Sequence, residues 1–268
     1  MRVMSAYRVL ACASTLGAAP LALGAQTIGQ RVAAIGDGTV HLSFAARPDV
    51  CGSPGGGISI RREDGRMQIG NWSRSSGDEW EFDCDRGPVR VAIVVRGGAP
   101  SAIRSYVGGR WRDTAGVVDL GLVSAPEAAA YLLDVAQRAE GRAARDAILP
   151  AVLADSATVW PQLLKIARDE SRPRDARRQA VFWLGQAAGD AVAEQLGAVA
   201  SDGDLDRDVR EAAIFALSQR PHDEGVPALI HVARTSRDPE LRRKALFWLA
   251  QTNDRRAVDL FEELLLKK

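Results

Sequence analysis

The ten residues RRQAVFWLGQ at 177–186 return almost unchanged as RRKALFWLAQ at 242–251. Each copy opens on an arginine pair, carries a Phe-Trp-Leu run and closes on Gln. Between them, REAAIFALSQ at 210–219 keeps the Arg, Phe, Leu and Gln but has Ala216 where the others have Trp183 and Trp248. Phe182, Phe215 and Phe247 stand 33 and 32 residues apart, and Arg177, Arg210 and Arg242 keep the same intervals. Two further columns keep step: Leu163, Leu196, Leu229 and Phe261, then Ile166, Val199, Val232 and Leu264. A period this constant over four units marks a repeat architecture, in which each unit buries its apolar face only against its neighbours.

Each unit reads as two antiparallel helices joined by a short polar turn. The arithmetic predicts helix pairs at 142–168, 173–200, 206–234 and 238–266, with 126–139 as an opening, capping helix that starts at Pro126. Pro150 falls inside the first helix of the first pair and predicts a kink there. The run AVFWL places apolar side chains on nearly every side of its helix, as expected of a helix wedged between its partner and the neighbouring units. A site that needs an indole would not tolerate Ala216, so the Trp column reads first as packing. The rival reading makes Trp183 and Trp248 a contact surface.

The first helices share the pattern acid-x-Arg-x-x-Ala: Asp175, Arg177 and Ala180; Asp208, Arg210 and Ala213; Glu240, Arg242 and Ala245. This resembles HEAT repeats, in particular the short HEAT-like units of bacterial proteins and of phycobilisome lyases, over about residues 142–268. The first unit departs from the pattern, with Ala144 where the Arg should stand. The resemblance implies an α-solenoid with an extended curved surface for protein or peptide partners. It also implies that the second helices line the concave side, which puts Gln195, Glu224, His231 and Asp259 on the expected binding face. The acids sit in the first turn, where negative charge suits a helix N-terminus. Residues two apart on a helix do not face each other, so Arg177, Arg210 and Arg242 should reach an acid or turn carbonyl of an adjacent unit.

The N-terminal part reads differently. Residues 1–25 have Arg2 and Arg8 before an uncharged apolar stretch from Val9 to Leu23 and a small residue, Ala25, at the end. That is the layout of a cleaved secretory signal peptide, and the apolar run is short for a membrane span. Loss of that segment would remove Cys12 and leave Cys51 and Cys84, an even pair that in an exported protein implies a disulfide. Residues 26–124 are rich in Gly and in β-branched runs: 38–46 alternates like a strand, 88–107 reads as two strands around Gly-Gly-Ala-Pro, and 116–123 is another short apolar run. The expected fold is therefore α+β by segment, with a small disulfide-stapled β-rich domain at 26–124 and a HEAT-like α-solenoid at 125–268.

Chemistry-bearing motifs are few. The formal net charge is +1, which excludes a whole-molecule field pulling it toward nucleic acid. SDGDLDRDVRE at 201–211 alternates acids as calcium loops do, but counted from Asp202 position six is Arg207 rather than Gly and position twelve is Ala213 rather than Glu. CGSPGGG at 51–57 lacks the Gly-Lys-Ser/Thr ending of a phosphate loop. His41, His222 and His231 are scattered and no His-Glu dipeptide occurs, so the iron chemistry of HEAT-repeat hydroxylases is not carried over. The expectation is an exported, periplasmic or secreted, non-enzymatic scaffold without cofactor or metal, binding a protein or peptide. The rival is a lyase-like chromophore attachment factor or another enzyme built on the repeats.

Overall fold

A computed structural model gives the architecture and describes residues 26–53, 56–62, 65–69, 84–112, 115–186 and 190–266. The proposed signal segment lies outside the described residues. A short helix α1 (Ile28–Ala33), closed by a Thr27–Gln30 capping box, precedes the strands β1 (Gly38–Phe44), β2 (Val50–Gly52), β3 (Ile58–Arg62), β4 (Gly65–Ile69), β5 (Val89–Arg96), β6 (Ala99–Val107) and β7 (Val117–Leu122). They form two sheets, ordered β6-β5-β1-β7 and β2-β3-β4. The β5–β6 hairpin turns at Gly97 (φ 54°) and Gly98 (φ 76°), the left-handed pair that a tight two-residue hairpin demands. Pro100 is tolerated in β6 because that strand is an edge. β7 returns parallel to β1.

The four-stranded sheet is apolar on one face. Val40, Leu42 and Phe44 of β1 pair with Ile93, Val91 and Val89 of β5, and all six are fully buried. Alternate residues point to the other face, which carries His41, Ser43, Arg90 and Ala92. Cys51 and Cys84 are joined, with Cα atoms 5.4 Å apart, so the expected disulfide is present. Cys51 lies within β2.

From α2 (Ala125–Arg138) onward the chain is helical: α3 (Gly141–Asp146), α4 (Ile148–Val152), α5 (Trp160–Arg168), α6 (Arg174–Gln186), α7 (Asp190–Ser201), α8 (Arg207–Ser218), α9 (His222–Thr235), α10 (Pro239–Ala250) and α11 (Arg255–Leu266). The last three pairs fall where the period placed them, to within a residue or two. The first pair does not hold together. Pro150 has no N–H for the carbonyl of Asp146, and the helix breaks into α3 and α4 at Ala147. The stretch that follows is drawn to the β-rich part by an isolated β-bridge between Ala46 and Ala154: Arg47 N–H donates to Leu153 O at 2.9 Å, and Asp155 N–H to Ala45 O at 3.0 Å. This unit ties the two segments together. The apolar sheet face, α2 and the stacked pairs share one continuous core.

Leu163, Leu196 and Leu229, and Ile166, Val199 and Val232, are buried as their columns predict. Leu264 is not; it stands 45% exposed in the last described pair, where no further described pair covers it. The Phe column also departs from expectation. Phe182 is half-buried, while Phe215 and Phe247 are 38% and 56% exposed. The core is filled instead by the leucines two residues on, Leu184, Leu217 and Leu249.

Candidate functional site

The arginine ladder exists, but its acids are not those of the column. Arg177 is buried (3% exposed) and pairs with Asp206, which precedes the first helix of the next unit. Arg174 reaches the same carboxylate at 3.1 Å, and Arg207 makes the equivalent step to Asp238 at 3.0 Å. Hydrogen bonds from Arg174 and Arg177 hold the Asp206 carboxyl below the usual aspartate range. Arg210 and Arg242 turn the other way, to the carbonyls of Ala200 and Ser236 at the ends of the preceding second helices, each at 3.5 Å. Among the described residues Asp208 has only a distant contact, with Arg174 (3.9 Å), Glu240 pairs within its own helix with Arg243, and Asp175 is exposed. In the calcium-like stretch, Asp206 is thus occupied by two guanidiniums, and Asp202 accepts from Asp204 N–H at 3.1 Å.

The residues expected on a binding face separate. Trp183 is 2% exposed and belongs to the core, which corrects its reading as a contact surface. Trp248 is half-buried and packs on Phe215 of the preceding repeat, centroids 5.4 Å apart, and on Phe247 at 5.1 Å. Phe215, Phe247 and Trp248 thus form an aromatic ridge across α8 and α10. On the second helices, His231 and Asp259 are exposed and Gln195 is half-buried. Glu224 is held by Arg220, and Asp259 by Arg255 at 2.8 Å. Glu194, Asp223 and Glu224 line a shallow groove of about 350 Å³ between α7 and α9.

A second concave feature lies on the outer face of the four-stranded sheet, and motif reading missed it. It is a cleft of about 600 Å³. His41 forms its floor and stacks flat on Trp111, with ring centroids 3.6 Å apart and planes 11° from parallel. Tyr106 meets the same indole edge-on at 6.1 Å, and the Arg90 guanidinium lies 6.0 Å from its centre. Arg104, Arg110 and Arg112 complete the lining, with Asp85 as the acid among them. Burial holds the His41 imidazole below the ordinary histidine range; nearby Asp119 opposes this and Arg104 adds to it.

A chain of contacts fixes this cleft. The Cys51–Cys84 bridge lies beside a two-way backbone pairing of Gly52 and Asp85, each N–H···O at 2.9 Å. The Asp85 carboxylate accepts from Gly109 N–H at 2.8 Å. Arg90 donates to the carbonyls of Gly108 and Gly109 and to Ser43 Oγ. Gly108 and Gly109 have φ of 68° and 64°, the left-handed turn from which Arg110, Trp111 and Arg112 project. A side chain at Gly52 would place its Cβ 2.1 Å from Val107 O, so glycine is needed where β2 closes on β6. The only sequence signals were a Gly-Gly pair between arginines and a tryptophan, too common to stand out.

The fold defines a class: a disulfide-stapled β-rich segment fused to stacked helix pairs. Residues 160–236 and 193–268 match the family model for HEAT repeats. The match begins at α5, beyond the broken first pair. No curated protein matches the chain. Among the described residues no helix is long and apolar enough to cross a membrane.

Proposed function

We propose that this chain is an exported, non-enzymatic scaffold that binds a protein or peptide partner on its HEAT repeats. The observation that carries the reading is the aromatic ridge of Phe215, Phe247 and Trp248, two of whose rings are more than a third exposed on successive repeats. Aromatic side chains held rigidly by their neighbours and open to solvent are the residue types that concentrate binding energy at protein interfaces. HEAT arrays commonly act as interaction surfaces, which supports the same reading. Of the second-helix residues that the family resemblance points to, Glu224 and Asp259 are engaged in ion pairs, so we place the binding face on the ridge ahead of them. Export is supported by the disulfide and by the signal-like N-terminal segment.

Crosslinking and mass spectrometry on the full-length protein in its native cell tests the reading. Crosslinks to one recurring partner should centre on α8 and α10 and be lost in Phe247→Ser with the fold retained. A purified protein carrying about one equivalent of pigment or metal would instead favour a lyase-like or other enzymatic role.

A further inference from the structure

We propose that the cleft on the outer sheet face is a binding site for a small organic anion, a carboxylate or phosphate attached to an apolar or planar body. Three observations converge. First, the cleft is of small-molecule size, about 600 Å³, within the usual few hundred to a thousand Å³ of ligand pockets. Second, its charge is unbalanced. Arg90, Arg104, Arg110 and Arg112 line it; among the described lining residues the one carboxylate is that of Asp85, which accepts from Gly109 N–H, and Asp119 lies outside the lining near His41. Among the described residues no carboxylate pairs with Arg104, Arg110 or Arg112, although the arginines of the solenoid ladder each find one or a carbonyl. Guanidinium groups gathered in a concavity without counter-charges present forks that match carboxylate and phosphate oxygens.

Third, the cleft is built rather than incidental. Arg90 is locked by three acceptors, Trp111 is clamped by His41, and the turn carrying Arg110 to Arg112 is tied through Asp85 to the disulfide-linked segment. Pre-organisation of this kind lowers the ordering cost of binding. Tyr106 and Trp111 give the wall an apolar, aromatic character that a bare phosphate ion would not use. This site is independent of the aromatic ridge on α8 and α10, so the two readings stand or fall separately.

The test is calorimetric titration of the full chain with benzoate and phenyl phosphate, and with benzyl alcohol as the uncharged analogue. At least one anion should bind with a stoichiometry of one while benzyl alcohol does not. Whichever anion binds more tightly names the head group. Arg104→Gln and Arg112→Gln, both at exposed positions that leave the fold intact, should each weaken binding about tenfold, the usual loss for a charged hydrogen bond. Absence of binding by both anions at millimolar concentration would overturn the proposal. So would equal binding of benzyl alcohol, or unchanged affinity in both arginine variants with the melting curve of the parent.

Discussion

The imidazole of His41 lies flat against the indole of Trp111, centroids 3.6 Å apart. His41 sits in the middle of β1, paired with Ala92 of β5 and Asp119 of β7, and only 8% of it is exposed. Its orientation is therefore set by the sheet and not by the turn at Gly108 and Gly109. The stack joins the floor of the cleft to the turn that carries Trp111, and it couples the cleft to pH.

Burial depresses the His41 pKa, so the folded state favours the neutral ring. Between that value and the ordinary one near 6.5, the unfolded chain binds more protons than the folded one. The contribution of His41 to stability is complete above the ordinary value and is lost as pH falls through that window. An NMR titration of the His41 ring should give a midpoint below 6.5; a midpoint above it would show that Asp119 outweighs burial.

Removing the disulfide should act at two levels. The bridge closes a sequence separation of 33 residues, for which the chain-entropy picture gives about 3–4 kcal/mol. Denaturant unfolding of Cys51→Ser should show a loss of that order. The same variant should loosen Asp85 and the turn at Gly108 and Gly109, seen as faster amide exchange at Gly109. Protection at Gly109 equal to the parent would show that the turn is held without the bridge.

The contact between the first helices of the second and third units is tight. A Cβ at Gly185 would lie 2.6 Å from the Cβ of Ala216, itself fully buried. Gly185→Ala should therefore lose about 1–3 kcal/mol through overpacking, despite the better helix propensity of alanine. A gain in melting temperature for this variant would mean that α6 and α8 can separate without cost.

The inter-unit ladder is structural. Arg210→Ala should lower the melting temperature by about 2–4 °C for each kcal/mol of the lost contact with Ala200 O. Asp206→Ala should do more harm than Asp208→Ala, because it strands the buried Arg177, whose only described acid partner is Asp206. Equal melting curves for the two aspartate variants would show that Arg177 finds another partner.

The order of residues alone is enough to specify the solenoid. Helix pairs stacked at constant intervals must repeat their core positions, so the 33- and 32-residue spacing exposed the period, the pair boundaries and the leucine and isoleucine-valine columns. It also determined the two-strand hairpin at Gly97 and Gly98 and the pairing of Cys51 with Cys84, because turn chemistry and cysteine parity are local or arithmetical signals. Which repeated residues are core and which are surface follows only from how the units stack. Phe215 and Phe247 recur as faithfully as Leu217 and Leu249, yet the former are exposed and the latter buried. Periodicity reports that a position is equivalent in each unit, not which way it faces once units stack. The cleft was invisible for a related reason. His41, Asp85, Arg90, Arg104 and Trp111 come from separate strands and turns, and only the pleat of β1, β5 and β6 with the turn at Gly108 and Gly109 brings them to one concave face.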